Sequence, residues 1–467
     1  MDGQRREEVP MTARRKIDYD SLVKTDRVHS SVYTDPEIFA EELDAIFHRG
    51  WVYVGHAGEI PNRGDYRLKR IGRYPVIMVR GDDGQIRLLL NRCRHRGATV
   101  CQTECGNAAT FRCAYHAWTY RNTGQLIGVT YEDGYGGALN RDEMGLTPVP
   151  RVDEYRGFIF GSLSHAGITL AEHLGKVTEQ IDLFVDLSPA GEIEVQAGSS
   201  KSGYPGNWKL QIENTIDGYH PNFSHETFFE LIRERTGARV DVFTGGSIGE
   251  TRDLGGGHVM LDYRRYNRQF VSQTHSTPLR VRQSATGTTP STAAEEYRAS
   301  IVARYGEERA AEILNAGGTH TLVFPNMALL GVQIRVVYPI AVDQTEVVLY
   351  PTTLKDAPAK LNQARLRAHE DFYGPAGFGQ PDDGELFARV QQGIQADIDP
   401  WMILTRGLHR ERRDADGTLV GQMTDEVPQR GIWAQWKKVM KQAQTSNENP
   451  GVNGRTRNSA ARMARSR

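Results

Sequence analysis

Thirty consecutive residues, 91–120, hold all four cysteines of this 467-residue chain. The stretch reads NRCRHRGATVCQTECGNAATFRCAYHAWTY. Cys93-Arg94-His95 and Cys113-Ala114-Tyr115-His116 form C-x-H, seventeen residues, then C-x-x-H. Two thiolates and two imidazoles can hold a structural zinc ion. They can equally hold a [2Fe–2S] cluster, with both cysteines on one iron and both histidines on the other. Zinc fingers pair like ligands, two cysteines close together and then two histidines. Here each short loop supplies one of each, which suits a cluster gripped between two β-hairpin tips. Cys101 and Cys105 are left over as packing or loop residues. Four clustered cysteines make no disulfide scaffold, which points to a reducing cytoplasmic compartment.

The texture around this stretch divides the chain. Residues 1–14 read as a mobile N-terminal arm, and 15–48 contain a helix-like run, DPEIFAEELDAIFHRG, with Asp35-Pro36 as its cap. Residues 49–164 hold short β-rich runs such as YPVIMVRG, IRLLLNRC and GFIFGSL between Gly, Asp and Asn turns, which predicts an all-β domain. Residues 165–441 mix amphipathic helices (TLAEHLGKVTEQIDLFVDL, then 207–223, 292–316 and 360–373) with strands in 320–340 and 345–354. Residues 442–467 are polar and end in five arginines without an acid, as a disordered basic tail does. The predicted class is α+β, with the all-β domain inserted in a larger domain whose central antiparallel sheet is covered by helices. Lys plus Arg number 57 against 58 Asp plus Glu, so bulk charge gives no reason to expect nucleic acid. No apolar run is long enough for a membrane helix, and the charged N-terminus is no secretory signal.

A second motif follows at 207–229, NWKLQIENTIDGYHPNFSHETFF, with Glu213, Asn214, Asp217, His220 and His225. Two histidines and a carboxylate bind Fe(II) on one face and leave the other positions open. Five residues apart on an ideal helix, His220 and His225 would not share a face. A break at Pro221 and the 222–224 stretch is therefore expected to bring the two rings together.

The first motif, CRHRGA…CAYHAW, resembles the Rieske centre of non-haem iron oxygenases, with Gly97 after one loop and Trp118 after the other. Ala117 departs from the family's usual glycine. The second, E-N-x-x-D-G-Y-H-x4-H, resembles the iron-binding segment of the same family, the large (α) subunits of aromatic-ring-hydroxylating oxygenases. The resemblance runs from about residue 38 to 437 and is nearest the benzoate and anthranilate branch. It implies Cys93, His95, Cys113 and His116 as [2Fe–2S] ligands. It implies His220, His225 and Asp383, from YGPAGFGQPDDGELF, as Fe(II) ligands, with Asp382 as the fallback. It makes 49–164 the Rieske domain, and 15–48 with 165–441 the catalytic domain. It assigns Asp217 to bridge His220 of its own chain to His116 of a neighbour in a head-to-tail trimer, α3 or α3β3 with a small β subunit. Asn214 is expected near the iron.

The implied reaction takes O2 and two electrons from NAD(P)H, delivered through a reductase or ferredoxin. It forms a cis-dihydrodiol or catechol from an aromatic substrate, an aromatic acid by the nearest branch. Arg92, Arg94 and Arg96 are read as a solvated rim, or else as a docking face for an acidic donor. An aromatic acid calls for an arginine. Arg335 alternates with apolar residues, which leaves a cavity or the solvated face for its side chain, and the solvated face is preferred. Gly379 and Tyr373 fall where the family has bulky pocket residues, and the glycine suggests extra room. A monooxygenase of the same superfamily, a pure electron carrier and a zinc-stabilised module are the alternatives.

Overall fold

The computed structural model describes residues 16–236, 249–262, 264, 291–316 and 319–448. The arm at 1–14 lies outside them. The predicted helix at 35–48 forms in two pieces. Asp35 caps Pro36–Glu42 by accepting from the backbone N–H groups of Glu37 and Ile38, and the chain continues as a π-helical turn over Leu43–His48. Proline at the first helical position costs nothing, because its missing N–H would be unpaired there anyway.

The β-rich region builds three small antiparallel sheets. One has four strands in the order Ile86–Leu90, Tyr74–Arg80, Asp65–Ile71 and Cys105–Asn107. A second pairs Thr110–Arg112, Thr119–Arg121 and Leu126–Gly128. The third joins Arg151–Tyr155 and Phe158–Ser162 to Val52–His56, closing the region on its own beginning. The first two share a core that includes Tyr66, Ile77, Leu89, Phe111, Trp118 and Tyr120, together with Cys93 and Cys113, while the third packs into the cores of the larger unit.

The larger unit is organised by a nine-stranded antiparallel sheet, so the fold is the predicted α+β class. Gln333–Ala341 lies inside it, between Met327–Leu330 and Gln344–Pro351. Both faces of this strand are covered. Ile334, Val336 and Tyr338 join a core with Leu183, Phe184, Tyr297 and Ile301, from the helix Thr178–Asp186 and from Ser291–Ala316, where the helix read over 292–316 is two helices meeting in a kink at Gly306 (φ +78°). Val337, Val347 and Leu349 join another with Trp208, Tyr373, Phe387 and Trp433. Those come from the helices Trp208–Thr215, Ala359–Tyr373, Gln380–Gly393 and Val427–Glu448.

Several predicted helices end elsewhere. The one read over 169–187 is broken at Gly175, which takes φ +47° between Leu170–Leu174 and a short 3-10 turn leading into Thr178–Asp186. The one read over 207–223 stops at Thr215, and Pro221–Ser224 is a separate single turn. The break therefore precedes Pro221 rather than following it. The closing helix runs on to Glu448, so residues 442–448, assigned above to the tail, are helical. The rest of the tail lies outside the described residues.

The Trp208–Thr215 helix is fixed by polar contacts in the interior. Asn207 caps it, and Lys209 Nζ donates to Glu42 Oε1 at 2.6 Å, with side chains 1% and 0% exposed. Trp208 Nε1 and Trp436 Nε1 also donate to Glu42. Removing one partner of such a pair leaves an uncompensated charge and costs about 3–5 kcal/mol. Lys209→Met should lower stability by that order in a denaturant titration. Lys441→Met, at an exposed pair with Asp20, should change it by less than about 1 kcal/mol. Equal effects would contradict this ranking.

Candidate active site and cluster site

The two Cys/His loops are built alike. Cys93 N donates to Ala98 O and Gly97 N to Cys93 O; Cys113 N donates to Trp118 O and Ala117 N to Cys113 O. Gly97 and Ala117 therefore occupy equivalent corners, at φ +79° and +57°. Both corners need the left-handed region, which glycine adopts freely and alanine at a cost of about 1 kcal/mol. Each loop delivers one buried thiol and one imidazole to the same place. The His95 and His116 rings lie 4.5 Å apart, and His95 stacks on Trp118 at 5.0 Å. Cys93 and Cys113 are buried and form no disulfide.

The donor set fits a cluster held through sulfur on one side and nitrogen on the other. His95 Nδ1 is buried without a hydrogen-bond partner, and the Tyr120 hydroxyl lies 3.2 Å from Cys93 Sγ. Cys101 stays in the hydrophobic core beside Asn91, and Cys105 sits on an edge strand opposite Arg67. Arg92, Arg94 and Arg96 are all exposed, Arg94 being tied to Thr147 and the Glu143 carbonyl.

The second site joins the two ends of a long loop in sequence. His220 precedes the Pro221–Ser224 turn and His225 follows it. Asp383 comes from the first turn of Gln380–Gly393. One ligand atom from each of the three lies within 4.8 Å of the others. Asp383 Oδ1 is 3.7 Å from His220 Nε2 and 3.4 Å from His225 Nε2. The far nitrogens face acids: Asp217 Oδ2 is 3.4 Å from His220 Nδ1, and Asp382 Oδ2 is 3.8 Å from His225 Nδ1. Asp382 thus stands behind a histidine rather than among the converging atoms. Asn214 Nδ2 lies 3.2 Å from both His220 Nε2 and Asp383 Oδ1, so an N–H donor already aims at the lone pairs of two of the three.

Burial and the neighbouring His220 push the His225 imidazole down to about 4, so it is neutral and able to donate its lone pair at pH 7. Burial raises the Asp383 carboxyl, opposed by His220, Arg335 and the Asn214 hydrogen bond. A divalent cation would relieve that penalty by supplying the missing positive charge.

Two expectations about the surroundings fail. Arg335 is not solvated: it is 2% exposed, donates from Nη1 to Thr215 Oγ1 at 3.2 Å, and lies over the Tyr373 ring at 5.4 Å. Both faces of its strand are buried, so alternation with apolar neighbours does not identify a wet side. Gly379 does not leave extra room either. A Cβ there would meet the Phe372 ring at 2.3–2.5 Å, and that ring packs edge-on to His225 at 4.9 Å.

The β-rich region matches the family model for the Rieske [2Fe-2S] domain over residues 50–141, and residues 184–443 match the ring hydroxylating alpha subunit (catalytic domain). The chain belongs to the ring-hydroxylating oxygenase α subunits. It is 38% identical to the 2-halobenzoate 1,2-dioxygenase large subunit of Burkholderia cepacia over 395 residues, 82% of this chain and 80% of that one. It is 35% identical to the toluate 1,2-dioxygenase subunit alpha of Pseudomonas putida, covering 82% and 84%. The naphthalene 1,2-dioxygenase of Rhodococcus sp. bound to indole superposes with a TM-score of 0.75 at 28% identity, over 89% of this chain and 94% of that one. The protein is therefore a Rieske non-haem iron oxygenase, the large subunit of a multicomponent terminal oxygenase. Its cofactors are a [2Fe–2S] cluster and a mononuclear iron.

Within this oxygenase, Phe372 and the placement of Asp382 behind His225 escaped the sequence reading. The doublet Asp382-Asp383 offered two candidates without showing which would face the histidines, and Phe372 has no motif beyond adjacency to Tyr373. Gly379→Ala should destabilise the oxygenase by about 1–3 kcal/mol through overpacking. That cost should largely vanish in a Phe372→Ala background, as a double-mutant cycle by denaturant unfolding would measure. Additive effects would show that the two positions do not share the space.

Proposed function

We propose that this subunit dihydroxylates an aromatic acid, with Cys93, His95, Cys113 and His116 holding the cluster and His220, His225 and Asp383 holding the iron. The observation that carries the iron assignment is the convergence of two Nε2 atoms and one carboxylate oxygen, with an acid behind each imidazole. When bound, the two groups supply single electrons and the activation of O2. The chain's own residues set the conditions for that chemistry. Asp217 and Asp382 orient the rings from behind and favour the tautomer whose Nε2 lone pair points inward. With iron bound, the His220 Nε2 lone pair would go to the metal, and Asn214 would keep its hydrogen bond to Asp383. Phe372 covers His225 and keeps water from it. The substrate class is supported by the 2-halobenzoate and toluate enzymes among the relatives.

We further infer that electrons cross between subunits, from the cluster held by one chain to the iron held by the next. Asp217, through His220, would meet His116 of the neighbouring subunit in a trimer, α3 or α3β3. Exposed aromatics support this at both ends: Tyr115 beside His116 is 61% exposed, and Tyr219 and Phe223 flanking His220 are 46% and 71% exposed. A ferredoxin or flavin reductase would supply the electrons from NAD(P)H, with Arg92 and Arg96 available to an acidic donor. A cytoplasmic location agrees with four unpaired cysteines and with the lack, among the described residues, of any helix long and apolar enough to cross a membrane.

A second reading, monooxygenation, is favoured by one relative. The N,N-dimethyl phenylurea N-demethylase subunit alpha of Sphingobium sp. is 40% identical over 219 residues, 46% of this chain. Counting 18O atoms in the product separates the two outcomes.

His220→Ala should lower iron from about three to about two atoms per chain while the Rieske absorption persists. Retention of the third iron would refute the ligand assignment. Asp217→Asn should keep both metals and slow single-turnover electron transfer by at least about tenfold. An unchanged rate would remove Asp217 from the path.

A further inference from the structure

We propose that Arg335 and Gln333 form a subsite that grips the carboxylate of the aromatic substrate. This rests on the oxygenase reading above and adds to it a residue-level origin of acid specificity. The strand Gln333–Ala341 alternates, so residues 333 and 335 point to the same face. It is the face shared with the iron site: Val337, two residues further on, packs in the core that contains Trp208, Tyr373 and Phe387. The cross-strand neighbours of Arg335 are Ala328 and Leu349, and those of Gln333 are Leu330 and Pro351. A guanidinium and a carboxamide thus stand on one sheet face with apolar cross-strand neighbours, and His320 lies one strand beyond Leu330 in the row of Gln333.

Two chains of contacts lead from the iron site and meet there. Along the first, Asn214 touches His220 and Asp383, and the next residue, Thr215, accepts from Arg335 Nη1. Along the second, Phe372 packs on His225 and on Tyr373, Tyr373 lies under the Arg335 guanidinium, and His369 contacts both Tyr373 and Gln333. Gln333 Oε1 is 2.7 Å from His369 Nε2. Gln333 Nε2 is buried and finds no hydrogen-bond partner among the described residues, although the side chain is fully enclosed, at 0% exposure. An enclosed donor left over in this way calls for an acceptor that the chain does not supply, either a water or a ligand oxygen. A cleft of about 460 Å³ between Ser200–Tyr204 and Gln380–Gly393 has Gln211, Leu349 and Tyr373 in its lining, while Arg335, Gln333 and the iron-site residues stand behind that wall. Leu349 and Tyr373 adjoin Arg335, and Gln211 bonds the Thr215 that Arg335 holds.

The chemistry of this pair selects a carboxylate. A guanidinium presents a planar fork that matches two carboxylate oxygens, and a second N–H from an amide can take a remaining lone pair. A neutral arene would bury the same polar groups without answering them, which is the strongest basis for rejecting it.

Binding of ring-substituted benzoates and the corresponding benzamides to the holoenzyme, by titration calorimetry, tests this directly. The wild type should bind its best benzoate at least about tenfold tighter than the matching amide. Arg335→Met should weaken the benzoate roughly 100-fold and the amide less than about threefold. Arg335→Lys should keep part of the preference, and Gln333→Leu should weaken the benzoate about tenfold. Equal affinities for acid and amide in the wild type, or equal losses for both in Arg335→Met, would overturn the subsite. The wild-type comparison decides even where a variant does not fold. If neutral arenes drive O2 uptake and acids do not, the subsite fails and the oxygenase reading stands. If no aromatic of either kind drives it, the oxygenase reading fails and takes the subsite with it.

Discussion

Glu42 accepts three hydrogen bonds in the interior, from Lys209 Nζ, Trp208 Nε1 and Trp436 Nε1. That one carboxylate ties the N-terminal helical lead-in, the Trp208–Thr215 helix and the closing helix Val427–Glu448 to a common point. Glu213 repeats the device one turn further on, accepting from the Tyr33 hydroxyl and from Trp433 Nε1. The short helix carrying Asn214 is therefore held at both ends by buried carboxyl groups that would lose their hydrogen-bond partners if it moved. The chain that follows is closely fitted. Gly218 packs so closely on Met423 that a Cβ would lie 2.2 Å from its carbonyl oxygen. The backbone has already left the helical path at Ile216, and His220 and His225 reach the same point from either side of a single turn.

The two metal sites share a principle despite their different donors. Each collects its donors from two short segments, and each holds its imidazoles by contacts away from the coordinating atom. In the cluster loops the support is stacking on Trp118 and a repeated backbone turn. In the iron site it is a carboxylate behind each ring, with the Phe372 ring against His225. The sites differ in access. His220 sits beside exposed Tyr219 and Phe223 and near the surface acid Asp217, whereas His225 and Asp383 are buried. One imidazole is thus partly exposed, and His225 and Asp383 are enclosed.

Local spacing made much of this legible. The C-x-H and C-x-x-H loops are short enough that sequence alone fixes their donors in one turn each, and Asp35-Pro36 announced its helix because capping is a local event. The iron histidines were legible as a pair, but the reason they converge was not. The helix ends at Thr215, and the chain beyond it is fitted against Met423 at Gly218, a contact about 200 residues away in sequence. Arg335 was misplaced for a related reason. Alternation separates two faces of a strand, but here both faces are buried, and only the register of the whole sheet tells which one holds the site. Gly379 suggested space because a glycine has no side chain, and the space belongs to Phe372 from a different helix.

The central claim is that the cluster of one subunit serves the iron of the next. Mixed oligomers test it most directly. Subunits carrying His116→Ala would lack a cluster ligand, and subunits carrying His220→Ala would lack an iron ligand, so oligomers of either alone should be inactive. Co-assembled one to one, a ring in which each subunit reduces its neighbour should recover roughly one quarter of wild-type turnover, the fraction of interfaces with an intact donor and an intact acceptor. Verified mixed oligomers with no turnover above that of the separate variants would contradict the account.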